Sequence, residues 1–304
     1  MTDAGQPFAQ AGVESVVVVV MRGGDGCPIE VDRIGAGGAE RLGSANQAFC
    51  ASLPFGALSY KALVPQSGIL KKINRAGSVL GEMLALFTRG IEAGKDCRAI
   101  REARAGSRAK PFLRGEDVSR YTARPSGLVF DPSKVPKSLW KDAAIYESGP
   151  KILVRRVANT IHATLDEKRH WVLNTLYILL PKDVSLTRYL LGLLNSRLLT
   201  YWFVSVFLSD DKLFPYLRIS QLSQVPIRVL DPASSADTTS HEQMTALVDR
   251  MLDLSARLAK ARSVEEKGRI QRLVDRTDRE IDALVYELYG LTEEEIGIVE
   301  EATK

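Results

Sequence analysis

Residues 151–181, KILVRRVANTIHATLDEKRHWVLNTLYILLP, decide the architecture. The apolar run that opens this stretch meets Arg155 and Arg156, crosses an Ala-Asn-Thr turn at 158–160, and returns through Ile161, Ala163 and Leu165. That is the pattern of a β-hairpin. A further strand is predicted over 172–180, ended by Pro181. Upstream, 110–114 and 128–131 are further strand candidates. Downstream the period changes to 3.6, with Leu186, Tyr189, Leu190, Leu193, Leu194, Leu198, Tyr201 and Trp202 on one stripe, which predicts a core helix. The Asn195-Ser196 pair interrupts that stripe. Its expected role is a helix-to-strand hydrogen bond rather than chemistry.

The flanks extend this α/β (α+β) reading. Residues 67–105 are predicted helical in two pieces, with Gly77, Gly90 and Gly94 as punctuation. The first 35 residues suggest two strands, 16–20 and 29–34, joined by a Gly-rich turn. The unalternating 16–20 run needs cover from a neighbouring sheet or a partner, or else forms an ordinary mixed sheet with 29–34. Residues 231–240, DPASSADTTS, have linker composition. Beyond them Met244, Met251 and Leu258 repeat at seven, as do Leu247, Leu254 and Ala261. Ile270, Thr277 and Leu284 interleave with Val274, Ile281 and Leu288 in the same way. The prediction is an antiparallel coiled-coil helical hairpin turning at 262–266, suited to packing, spacing or self-association. Thr292 and Glu295 form a capping box for a last acidic helix.

Charge is unevenly spread. Residues 95–228 hold 23 Lys and Arg against 12 Asp and Glu, whereas 229–304 hold 10 against 17. A basic middle and an acidic tail fit a chain with one region facing a polyanion, although clustering in sequence need not be clustering in space. At 304 residues and 45% hydrophobic content, a sizeable core and about two domains are expected. The longest apolar run, 16–21, is too short to span a bilayer, and the opening lacks a basic segment leading into an apolar one. The expectation is therefore a soluble, cytoplasmic protein. Cys27, Cys50 and Cys97, with His162, His170 and His241, fall at no metal-ligand spacing.

Arg155, Arg156 and Asn159, at the turn, are candidates for a DNA groove; alternatively the two arginines edge a solvent-facing strand. Lys151, Lys212 and Arg218 are candidates for phosphates. The loop SDDKLFPYLRISQLSQVPI interleaves Lys212, Tyr216 and Arg218 around Pro215, which suits clamping of a nucleic-acid backbone. Phe214 and Tyr216 could equally plug the core. Lys110, Arg114, Arg120 and Thr160 complete the candidate DNA-contact set.

Four phrases carry a resemblance: KPFLRGEDVSRY (110–121), the opening stretch at 151–181, YLLGLLNSRLLTYWF (189–203) and LFPYLRISQLSQVPI (213–227). In that order they resemble the TaqI-like C-terminal specificity domain of adenine-N6 DNA methyltransferases. DREIDALVYELYGLTEEEI (278–296) resembles the tail of type IIG restriction-modification enzymes and type I specificity subunits. The opening PFAQAGVESVVVVVM resembles the last β-hairpin of a methyltransferase domain. The implied layout is 1–60 as the end of such a domain, 61–230 as a mixed-sheet target-recognition domain, and 231–304 as the helical hairpin. In such domains a phrase similar to VLGEMLALFTRGIEAG leads into a strand and a glycine turn, which competes with the helix predicted over 82–87. What the resemblance implies is recognition of double-stranded DNA alongside a methyltransferase domain or subunit that holds S-adenosylmethionine and flips adenine.

The catalytic signatures of that partner are missing from this sequence. There is no Asn/Asp-Pro-Pro-Tyr/Phe turn. GAGG at 35–38 lacks a strand-to-helix context, and Phe214-Pro215-Tyr216 lacks both the polar residue and the second proline. Asp166-Glu167-Lys168 has nuclease residue types in a predicted turn. Three readings compete: a DNA-recognition subunit without catalytic or cofactor residues of its own, the C-terminal half of a split adenine methyltransferase, and a protein-binding helical scaffold.

Overall fold

The computed structural model describes residues 2–3, 16–17, 29–35, 38–45, 47–54, 67–94, 97–102, 109–207 and 216–304. Its centre is an antiparallel sheet in the order Ala163–Asp166, Lys151–Arg155, Leu176–Pro181, Leu84–Arg89. Ile152 faces Leu179, Leu153 faces Ile178 and Val154 faces Tyr177. Successive side chains point to opposite faces. Ile152, Val154, Tyr177 and Leu179 join a core shared with the helices, whereas Leu153, Leu176 and Ile178 join a second core. Both faces of this sheet are covered. Truncating Leu153 to Ala would cost about 2–5 kcal/mol.

The second core is roofed by another sheet, ordered Trp171–Val172, Lys110–Leu113, Leu128–Phe130, Ile100–Glu102. Trp171 pairs with Phe112 in parallel, and the remaining pairs are antiparallel. Trp171 is buried with its ring 4.6 Å from that of Tyr146 and 5.6 Å from that of Phe130. Such aromatic packing supplies much of this core's buried area.

The helices that cover the first core differ from the single helix predicted. Thr187–Asn195 and Arg197–Phe207 are separate, bent by 63°. Ser196 makes the break. Its backbone is extended, its hydroxyl donates to the Leu193 carbonyl at 2.7 Å, and the same oxygen accepts from the Leu199 amide at 3.2 Å. One side chain thus closes one helix and caps the next. No single helix among the described residues is long and apolar enough to cross a membrane.

Two helix boundaries also move. Among the described residues of the region 67–105, only Ser67–Asn74 and Leu80–Met83 are helical, and Leu84–Arg89 is a strand. Leu84 and Thr88 are buried in the ladder against Leu176–Pro181, so tertiary pairing overrides local helix propensity. The predicted linker is shorter than its composition suggests: helix Ser235–Lys260 starts inside it, capped by the Ser234 hydroxyl accepting from the Asp237 amide.

Val264–Leu288 returns along that helix, and Glu293–Ala302 follows with the Thr292–Glu295 capping box in place. The hairpin shares the main core: Met244, Val248, Ile281 and Val285 lie in the same cluster as Leu190 and Leu194. Residues on both sides of position 230 thus pack into one core. At Gly192 a side chain would run into Met244 and Val248, so glycine sets how closely the hairpin docks.

Near the amino terminus, Ile29–Gly35 pairs with Gly38–Ala45, and Thr2–Asp3 lies between Ile29–Gly35 and Val16–Val17. The two strands expected to form a hairpin are thus separated by a third. Residues 18–20 of the predicted strand lie outside the described residues.

Candidate nucleic-acid interface

Four backbone segments converge beside the central hairpin. The Arg155 amide donates to the His162 carbonyl at 2.9 Å, so the hairpin loop spans 156–161, wider than the predicted turn. The Arg156 amide donates to the Thr175 carbonyl, and the Arg156 carbonyl accepts from the Leu217 amide, each at 2.9 Å. Val157 and Tyr216 form a β-bridge. Those bonds fix the backbone of Arg156 from both sides, and its guanidinium carbon stands 5.3 Å from the centre of the exposed Tyr216 ring. A cation seated near an aromatic face is held in place while its edge stays open to a ligand.

Around this pair sit the other loop residues. Arg155 Nε donates to the Val157 carbonyl at 2.9 Å, Thr160 Oγ1 lies 3.0 Å from His162 Nε2, and Asn159 and Arg218 are exposed. Burial, followed by the nearby Arg155 and Arg120 guanidiniums, holds the His162 imidazole below its ordinary pKa. Arg155 and Arg156 place two positive charges at the hairpin tip, the sign that attracts phosphate.

Other predicted contacts part from this group. Lys151 is completely buried. Its ammonium lies 2.9 Å from Asp166 Oδ2 and donates to the Tyr146 and Ser148 carbonyls at 2.6 and 3.1 Å. It cannot reach a phosphate; it neutralises Asp166, which also accepts from His170 Nδ1 at 2.8 Å. Burial, which would raise the Asp166 carboxyl, is outweighed by the hydrogen bonds from His170 and Lys151, and its pKa is lowered. This is a structural pairing, and it commits Asp166, the first of the nuclease-like residue types at 166–168.

Arg120 is likewise committed elsewhere: it grips Asp278 through two nitrogens, at 2.6 and 3.0 Å, and donates to the Asn195 carbonyl at 2.6 Å. It ties the sheet region to the helical hairpin. Lys110 pairs with Glu147 at 2.7 Å on the second sheet. Arg114 has Glu116 at 3.4 Å, and the neighbouring Gly115 amide donates to Thr175 Oγ1, which places that turn beside the Arg156 platform. Lys212, with Phe214, lies outside the described residues.

Three residues of the platform escaped the sequence reading: Arg89, Glu92 and Asn174. Arg89 Nε is 3.4 Å from Glu92 Oε1, Asn174 Nδ2 donates to Glu92 Oε2 at 3.1 Å, and Arg156 Nη1 reaches the Asn174 carbonyl at 3.5 Å. Reading 84–89 as a strand would have exposed the signal, because Arg89 then ends a strand paired with Tyr177.

The candidate site is thus a hairpin tip bearing Arg155 and Arg156, set on the central sheet with the Tyr216 ring beside the Arg156 guanidinium. Residues 110–227 match the TaqI-like C-terminal specificity domain family. No curated protein matches the chain. Among solved structures, the type IIL restriction-modification enzyme MmeI in complex with DNA is similar at a TM-score of 0.50 and 10% identity, covering 91% of this chain and 41% of that one. The HsdS subunit from Thermoanaerobacter tengcongensis aligns at a TM-score of 0.34 and 16% identity, over 73% of this chain and 50% of that one. The type IIG restriction endonuclease BpuSI aligns at 0.41 and 12%, over 83% and 36%. The likeness to MmeI concerns the fold, and the chain spans 41% of that enzyme's length.

Proposed function

We propose that this chain is the DNA target-recognition part of a restriction-modification or adenine-N6 methyltransferase system, reading a short duplex sequence for a catalytic domain or subunit. The observation that carries this reading is the backbone-fixed Arg156–Tyr216 pair at a positive hairpin tip inside the matched specificity domain. Arg155, Arg156 and Asn159 enter the groove, with Thr160 beside them; Tyr216 and Arg218 flank it, and Arg218 meets phosphate. Lys110, Arg114 and Lys212 extend the phosphate contacts.

Adenine methylation uses S-adenosylmethionine, and the residues here do not fit that group. Gly35 lies opposite Gly38 in a strand pair, so GAGG joins two antiparallel strands instead of leading from a strand into a helix. The cofactor belongs to the catalytic partner, joined in the same polypeptide or separate. Self-association would use the helical hairpin.

The test is selection from a pool of randomised duplexes, with affinity for the winners followed across salt. Enrichment of one short motif, with affinity falling steeply as salt rises, supports the reading. Absence of binding by the folded chain points instead to the protein-binding scaffold.

A further inference from the structure

We infer that Glu92, braced by Asn174, is a specificity-determining residue whose carboxylate accepts a hydrogen bond from the exocyclic amino group of a base, cytosine N4 or adenine N6. The inference rests on the proposed function and adds to it the residue that rejects wrong sequences.

The backbone is arranged to deliver this carboxylate. The Ile91 amide donates to the Val172 carbonyl at 2.8 Å, the Asn174 amide to the Ile91 carbonyl at 2.9 Å, and the Glu92 amide to the Leu139 carbonyl at 2.8 Å. Segments 89–92 and 172–176 therefore cross in close contact. Gly90 permits this, because any side chain there would run into the Val172 and Leu173 carbonyl oxygens. Glu92 and Asn174, 82 residues apart in sequence, emerge side by side on this crossing.

Electrostatics give the placement its meaning. A carboxylate paired with Arg89 and bonded to Asn174, whose carbonyl lies 3.5 Å from Arg156 Nη1, opposes binding of any DNA on a surface that must neutralise phosphates. Arg89 offsets it only in part: the pair stands at 3.4 Å with both side chains 46% exposed, a geometry that contributes little. Such a group is favourable where it accepts from a base amino donor and unfavourable elsewhere, which is how discrimination by rejection works. Arg89 and Asn174 occupy two of the roughly four acceptor positions of the carboxylate and set its orientation, and the rest remain for a base.

The experiment is selection from randomised duplexes by the wild-type full chain, Glu92→Gln and Asn174→Ala in parallel, with circular dichroism as the folding control. The expected result is a wild-type motif in which one base pair loses about tenfold discrimination in Glu92→Gln, the other positions being retained. Asn174→Ala should weaken the same position. If both variants return the wild-type motif with unchanged discrimination, or if all positions weaken together, Glu92 only neutralises Arg89 and the inference fails while the proposed function stands. If the wild-type chain enriches no motif, the proposed function falls and the inference with it.

Discussion

The side-chain amide of Asn195 makes a two-way hydrogen-bonded ring with the backbone of Ala163: Oδ1 accepts from the Ala163 amide at 2.9 Å and Nδ2 donates to its carbonyl at 3.0 Å. Asn195 ends a core helix, and Ala163 begins the edge strand of the central sheet. The Ala163 carbonyl also accepts from the Tyr121 amide at 2.8 Å. One buried side chain thus completes a strand edge that would otherwise carry unpaired polar groups. It is also the bond that the polar pair in the apolar stripe led us to expect.

Replacing Asn195 with Ala should therefore cost about 1–3 kcal/mol, because it leaves a buried donor unsatisfied and weakens the carbonyl's pairing. Asn195→Asp should be worse at neutral pH, since it sets a carboxylate oxygen against the Ala163 carbonyl. Urea denaturation measures both, and an Asp variant as stable as wild type would contradict the ring.

Lys151→Ala should fail in stability and not in DNA affinity. The substitution leaves Asp166 buried with a charge that only His170 and backbone amides still hold, a loss of about 3–5 kcal/mol. Binding measured on the fraction still folded at low temperature should match wild type, whereas a surface phosphate contact would show the reverse.

What could be read in the sequence follows the range of the interactions. The hairpin at 151–166 was legible because its apolar runs and its turn are local. The 3.6 period located both core helices but could not show that Ser196 would cap the second and split them. Lys151 was misplaced because lysines are almost always exposed. Its partner Asp166 lies directly across the strand pair, and only the register makes the burial tolerable. Arg120 with Asp278, and Glu92 with Asn174, join segments whose proximity no local pattern encodes.

Asp282 should make stability depend on pH. Burial pushes its carboxyl up to about 6, with the Arg197 amide bond opposing and Asp278 adding to the rise. A carboxyl raised on folding favours the native state fully below its ordinary pKa of 3.8, and this contribution is lost as pH rises through about 6. Asp282→Asn keeps an acceptor for the Arg197 amide at 2.9 Å and removes that loss. Relative to wild type the variant should gain as pH goes from about 4 to 7, by about 3 kcal/mol at most. Thermal melts across that range test it, and parallel pH profiles for the two proteins would contradict it.

The arginines of the hairpin tip should separate by the kind of loss each produces. A residue that reads a base edge sets which sequence binds, so Arg156→Ala should cost about 1–3 kcal/mol on the selected duplex and little on an unrelated one. Arg155→Ala should act in the same sense. Arg218 is exposed at the start of a short helix and meets the backbone, so Arg218→Ala should weaken all duplexes alike and reduce the slope of log affinity against log salt by about one. Tyr216→Phe preserves the ring near the Arg156 guanidinium and should behave as wild type, whereas Tyr216→Ala frees the guanidinium and should reproduce much of the Arg156→Ala loss. Titrations of selected and scrambled duplexes at several salt concentrations resolve these classes. If the double variant R155A/R156A kept both affinity and preference, the groove would have to be read by other residues.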